Sequence, residues 1–224
     1  MALLDSFGSD APSSPLVRQC LDEMRGMVDT TERMFRAATA TLLDNEPLDL
    51  DLGALDETVN DREQSIRRAM LHHVTIDPQR DLLLSLTLLI IVQEAERIGD
   101  LSKSLAKAAE LATAPRVGQS VHPLRRVRDR VQGLFPDVRL GFIQADARAA
   151  RRVMEAHTSV KVEVADFLAL IAEGEIADTN RAVVLAIAAR MIGRVSSHLS
   201  NIASSVVLPF DQVRNAPTWD DTGA

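Results

Sequence analysis

Apolar residues recur at helical spacing along most of this 224-residue chain. They fall three or four positions apart, which places them on one face of a helix. Proline and glycine interrupt the pattern between segments. No stretch alternates apolar and polar residues between hairpin turns, so the sequence predicts an all-α fold. The predicted helices are 16–45, 54–73, 78–112, 121–154, 156–173 and 178–207, the fourth interrupted near Pro136.

The third predicted helix begins with the most apolar part of the chain. Leu82 to Val92 is a run of 11 residues without a charge. This run is too short to cross a bilayer. A helix that is apolar nearly all round is typical of the centre of a bundle, and we expect this one to be buried there.

The two halves of the chain repeat the same order of long, medium and long helices. Aligning Arg97 with Arg194 brings similar residues together along both third helices, and Val59 pairs with Val160 in the second helices. The pattern predicts two tandem three-helix bundles. The predicted divisions are a disordered N-terminus at 1–15, a first repeat at 16–114, a second repeat at 121–210 and a flexible tail at 211–224.

Charge limits the classes of partner. The net charge of −7 argues against nucleic acid, whose binding needs a basic surface. Residues 1–60 hold 12 acidic and 4 basic side chains, whereas 116–152 hold 9 arginines and 3 aspartates. The arginine-rich stretch has two interpretations, a surface for an acidic partner or anionic lipid and a solvated helix face, and the second is favoured.

The cysteine content and the N-terminus indicate a cytoplasmic protein. Cys20 is the only cysteine, so no internal disulfide forms and a reducing compartment fits. The first residues lack the basic and apolar regions of a signal peptide. The chain has no phosphate-binding loop, nucleophile elbow or zinc spacing, so we expect a protein that is not an enzyme.

One pair of acids raises a chemical question. Glu96 and Asp100 lie one helical turn apart, so they share a face and repel each other. The residues alone leave three ways to offset the repulsion between these two carboxylates. Arg97 or Lys103 forms local ion pairs, a helix of the second bundle supplies an arginine, or a metal ion bridges the two carboxylates.

The segment "QEAERIGDLSKSLA" resembles the signature of the PhoU family, in which an acid, Arg-Ile, a small residue and Asp precede His-Ala-x-Asn-Ile-Ala. "LDETVNDREQSIRRAM" resembles the family's second helix, and "RVSSHLSNIASSV" its second signature. The resemblance covers about 16–210. It implies two three-helix repeats in a soluble protein that regulates phosphate uptake and phosphate signalling.

The implied partners are the ATPase of a phosphate ABC transporter and a membrane sensor histidine kinase, so association with the membrane would be peripheral and through these partners. A homodimer is a further expectation. The alternative is a metal-binding accessory protein of a different ion transporter. Family members bind iron, zinc or other metals through the acidic motif of each repeat.

The two repeats match the acidic motif unequally. Glu96, Arg97 and Asp100 are all present in the first repeat, and Asp56 and Asn60 are candidates to complete a metal site there. In the second repeat Arg194, His198 and Asn201 match, as structural or partner-binding residues, but the acids are replaced by Gly193 and Ser197. The expectation is one divalent or trivalent metal (iron, zinc, magnesium or similar) in the first repeat only. If it is absent, Arg97 or Lys103 neutralises the acids.

Overall fold

A computed structural model describes residues 14–77 and 79–214, and within them all regular structure is helical. The all-α prediction is confirmed. The helices are α1 Pro15–Thr39, continued by a π-helical turn at Ala40–Asp44, then α2 Leu52–Ile76, α3 Leu82–Glu110, α4 His122–Gln132, α5 Leu134–Ile143, α6 Ala147–Ala172 and α7 Thr179–Val207. Short 3-10 turns occupy Gln119–Val121 and Phe210–Gln212.

Most of the long helices begin at a residue whose side chain accepts a backbone N–H. Ser14, Asp51, Asp146 and Asp178 cap α1, α2, α6 and α7 in this way. These caps satisfy donors that have no partner inside the helix. The capping residues therefore fix where these four helices start.

The helices pack as two bundles that share one core. Helices α1, α2 and α3 pack together, and α4–α5 pack with α6 and α7. Helix α3 also contacts α7 along the junction of the repeats. Of the described helices, only α7 is long and apolar enough for a membrane span by composition. It packs against α3, α5 and α6.

The predicted break between the fourth and fifth helices is wrong. The chain leaves the helix at Gln144, passes through a left-handed Ala145 (φ 53°), and starts α6 at Asp146. Asp146 therefore caps a helix, and residues 147–172 continue without interruption. Pro136 lies in the first turn of α5, where a missing N–H costs no intrahelical bond, and the break falls at Gly133.

The first four residues of the predicted flexible tail, 211–214, are described by the structure. Val213 is buried, and Arg214 reaches the core, where it pairs with Glu94. At the other end, Ser14 and Pro15 already belong to the start of α1. The rest of both predicted terminal segments, 1–13 and 215–224, lies outside the described residues, as does Pro78.

Neither interpretation of the arginine-rich stretch applies to Arg116 and Arg125, which contact the C-terminal end of α1. Arg116 donates to the carbonyls of Thr41 and Leu42, and Arg125 donates to Leu43. These carbonyls lie in the π-helical turn, so the arginines cap a helix C-terminus. The acidic first repeat and the basic stretch are thus partners within one molecule.

Further contacts between the repeats involve α1 and α5. Arg139 pairs with Asp29 and Glu32 of α1. The rings of Phe35 and Phe135 lie 5.9 Å apart in the shared core. Ion pairs and apolar contacts therefore both hold the second repeat against the first.

Candidate functional site

The acidic cluster lies where α3 faces α2. Lys103 extends from α3 between the helices, and its Nζ lies 2.6 Å from Asp56 Oδ2 and 3.1 Å from Asp100 Oδ1. Arg97 has nitrogens 3.6 Å from Glu96 and from Asp100, beyond hydrogen-bond distance. Lys103 is therefore the main counter-charge of this cluster.

The two acids of the motif differ in pKa. Burial, followed by a hydrogen bond and charge repulsion from Asp100, raises the pKa of Glu96 to about 7. Burial acts in the same direction on Asp100, but hydrogen bonds from Lys103 and Glu96 outweigh it and lower the pKa of that carboxyl. Close to neutral pH, one proton is therefore shared across the pair.

Asp56 and Asn60 lie beside these acids, on α2. Asp56 is buried, and its Oδ2 accepts from Asn60 Nδ2 at 3.2 Å as well as from Lys103. Its Oδ1 is buried without a hydrogen-bond partner among the described residues. The structure thus places Asp56 and Asn60 in direct contact, and Lys103 links Asp56 to Asp100.

As arranged, this cluster does not fit a resident metal ion. The ammonium of Lys103 lies between two of the carboxylates that would have to ligate the cation. In the described part of the chain, no three or more His, Cys, Asp or Glu side chains are grouped as metal ligands. The metal site therefore stays a prediction.

A second polar cluster was not found from the sequence. Glu94 is 1% exposed, and its Oε2 accepts from His198 Nδ1 at 2.8 Å and from Asn201 Nδ2 at 2.7 Å. Its Oε1 pairs with Arg214 Nε at 2.7 Å. Burial favours the neutral carboxyl, but the bonds from His198 and Asn201 and the charge of Arg214 lower its pKa.

The signal for Glu94 was present but ambiguous. It is a single acid between the buried Val92 and Ala95, on the side of α3 that faces α7. A buried carboxylate needs a partner, and His198 and Asn201 belong to the other repeat. No local pattern connects residues more than 100 positions apart.

Comparison with known proteins identifies the fold and a domain in the first half of the chain. The family model described as "PhoU domain" matches residues 24–109. The crystal structure of PhoU from Pseudomonas aeruginosa matches with a TM-score of 0.75 and 25% sequence identity, over 85% of this chain and 93% of that one. Residues 24–109 are therefore a PhoU domain, and the chain has the fold of PhoU.

A more distant PhoU has the same architecture. The phosphate transport system regulatory protein PhoU from Streptococcus pneumoniae also gives a TM-score of 0.75 over the same shares of both chains. Its sequence identity is only 13%, so this likeness concerns the fold. No curated protein matched the chain in a sequence search. The matched PhoU domain contains the whole acidic cluster, whereas the partners of Glu94 lie beyond it.

Proposed function

We propose that this PhoU-domain chain regulates phosphate transport and phosphate signalling as a cytoplasmic adaptor. Its partners in this proposal are the ATPase of a phosphate ABC transporter, a sensor histidine kinase or both. The observation that carries the proposal is the match to a PhoU structure along 85% of the chain, at 25% identity. The more distant relative from Streptococcus pneumoniae is a phosphate transport system regulatory protein, which agrees with this role.

The charged residues support a role in binding rather than catalysis. Lys103, Arg116 and Arg139 are engaged in contacts within the chain. Burial, with a smaller effect of Glu23, raises the pKa of the Cys20 thiol to about 11, so this thiol is a poor nucleophile. We therefore place the function on the outer faces of the helices.

The accessory role in metal transport is not favoured. Such a role needs a metal bound at Glu96 and Asp100, and Lys103 already neutralises the Asp100 side of this pair. A regulator that works through protein contacts needs no metal there. This difference allows the two roles to be separated by mutation.

The test is deletion of the gene, followed by complementation, with phosphate uptake and a phosphate-starvation reporter measured at high and low phosphate. We expect the deletion to derepress uptake or the reporter, and wild type to restore control. The tagged chain should co-purify with the transporter ATPase or the kinase. Unchanged uptake and signalling in the deletion, with neither partner recovered, would refute the proposal.

A variant pair separates regulation from metal binding. Glu96→Gln with Asp100→Asn removes the carboxylates that a metal would require, and the adaptor role predicts that control is retained. Asp166→Asn, at an exposed position of α6, is the matched control. Loss of control in the double variant alone, with normal protein levels, would instead favour the metal-dependent role.

A further inference from the structure

A basic cavity lies between α6 and α7 of the second repeat. Its volume is about 380 Å³, within the range of small-ligand sites. The polar residues that line it are His157, Lys161, Arg190, Arg194 and Ser197, and no carboxylate is among the lining residues. The cavity therefore concentrates positive charge in a concave site, although the whole chain is acidic.

The spacing of these residues explains why they meet. His157 and Lys161 are one turn apart on α6, and Arg190, Arg194 and Ser197 follow each other at one-turn intervals on α7. Since α6 and α7 pack along their length, the two faces enclose the cavity. Within 14–77 and 79–214, Lys161, Arg190 and Arg194 form no ion pair. Three cations thus face one space without a counter-charge from the described chain.

The cavity occupies the place that the acidic cluster has in the first repeat. In the alignment of the repeats, Glu96 and Asp100 correspond to Gly193 and Ser197, and the same alignment sets Gln93 against Arg190. On the second helix of each repeat, Asp56 corresponds to His157, Asn60 to Lys161 and Glu63 to Val164. One position in the fold therefore carries a negative cluster in the first repeat and a positive cavity in the second.

Local details are consistent with an open anion site. A Cβ on Gly193 would lie 3.4 Å from a methyl of Val164, so glycine leaves the wall of the cavity free of a side chain. His157 Nδ1 and Ser196 Oγ form a hydrogen bond of 2.9 Å. Burial, followed by the charge of Lys161, lowers the pKa of His157 to about 4. The imidazole is therefore neutral at neutral pH, and the positive charge comes from the lysine and arginines.

We propose that this cavity binds a small tetrahedral oxyanion of the phosphate type through Lys161, Arg190 and Arg194. Arginine presents N–H groups in a geometry that fits such an anion, and lysine adds a compact charge. Ser197 lies on the same wall, and its hydroxyl donates to the Gly193 carbonyl at 3.3 Å. This site is distinct from the proposed adaptor role, because binding of an anion requires no protein partner.

The test is calorimetric titration of the full-length chain with inorganic phosphate, sulfate, glycerol phosphate and chloride at constant ionic strength. We expect saturable one-site binding of the tetrahedral anions and none of chloride. In Arg190→Gln with Arg194→Gln, affinity should fall by about tenfold or more, since two charge-assisted contacts are lost. Ser197→Asp should also abolish binding by placing a carboxylate in the cavity.

Arg151→Gln is the matched control, because Arg151 is an exposed arginine on α6 that does not line the cavity. It should bind like wild type, and melting curves should show that all variants are folded. If glycerol phosphate binds as tightly as the free ion, the site takes phosphate groups of larger molecules; if only the free ions bind, it takes the ion itself. No saturable binding up to about 10 mM, or equal binding by the double variant, would overturn the proposal.

Discussion

Glu94 on α3 and His198 on α7 are 104 positions apart in the sequence and are joined by a 2.8 Å hydrogen bond in the fold. The same carboxylate binds Asn201 and Arg214, so one buried charge connects the first repeat, the second repeat and the segment after α7. Removing one member of such a buried group leaves the other members without their partner. The stability of the junction therefore depends on Glu94.

Glu94→Ala should destabilise the protein by about 3 kcal/mol, because His198 and Asn201 lose their acceptor and a cavity is left. Urea unfolding monitored by circular dichroism measures the change. Glu175→Ala, at an exposed position after α6, should stay within about 0.5 kcal/mol of wild type. Equal losses in the two variants would show that Glu94 contributes nothing specific.

Glu96 should make stability fall as the pH rises. Its pKa is about 7 in the folded chain against an ordinary 4.5, so the unfolded chain releases this proton more easily. The resulting penalty is absent below about pH 4.5, grows up to about pH 7 and is complete above it. Glu96→Gln removes the penalty, and should therefore stabilise the protein at about pH 8, by on the order of 1 kcal/mol, but not at about pH 4.

Asp100→Asn provides the contrast, because the pKa of Asp100 is lowered and its charge pairs with Lys103. This variant should lose stability at about pH 8, where Glu96→Gln gains. Unfolding free energies at several pH values test both expectations. The assignment of the proton to Glu96 would be wrong if the two variants shifted stability in the same direction at high pH.

Lys103→Met should expose the acidic cluster to metal ions. The variant leaves Asp56 and Asp100 without their shared cation, and we expect a loss of about 2 kcal/mol in the absence of metal. Added Mg²⁺ or Zn²⁺ should then raise the melting temperature of the variant but not of wild type. Lys107→Met, one turn further along α3 and exposed, is the control.

Elemental analysis of the purified wild type completes this test. We expect no stoichiometric metal, because Lys103 occupies the position between the carboxylates. Stoichiometric metal that disappears in Glu96→Gln would contradict this expectation. It would mean that Lys103 moves aside when the cation binds.

Asp44 and Arg128 should be energetically coupled across the repeats. Their side chains lie 2.7 Å apart and are largely shielded from water. Asp44→Asn should cost about 1–2 kcal/mol, and a double-mutant cycle with Arg128→Gln should give a coupling energy above about 0.5 kcal/mol. Asp49→Asn, exposed in the loop after α1, should be neutral. Strict additivity of Asp44→Asn and Arg128→Gln would rule out the coupling.

Local signals were enough to predict the helices, but not where every helix ends. The third helix was predicted to be buried because its first half is apolar, and Leu84, Leu88 and Ile91 are indeed in the core. The break near residue 145 was missed, since it depends on the left-handed Ala145 and the cap at Asp146. Alanine and aspartate also occur inside helices, so the sequence did not mark this position.

For the candidate sites too, the sequence predicted the residues but not all of their contacts. Asp56, Asn60, Glu96 and Asp100 were chosen by spacing and resemblance, and the fold places them on facing helices. The choice between Arg97 and Lys103 was open, because both side chains are within reach of the acids along the helix. Lys103 is the main counter-charge because α2 packs against α3 and brings Asp56 within 2.6 Å of the Lys103 ammonium.

The sequence by itself determined the helical class and the position of the acidic motif, and it predicted the repeat. These follow from residue periods and local spacing, which act over one or two helical turns. The tertiary structure alone decided that Glu94 meets His198 and that the second repeat forms a basic cavity. It also decided that Arg116, Arg125, Arg128 and Arg139 contact the acidic first repeat. Such contacts join residues far apart in the chain, and charge and burial become specific only when packing brings those residues together.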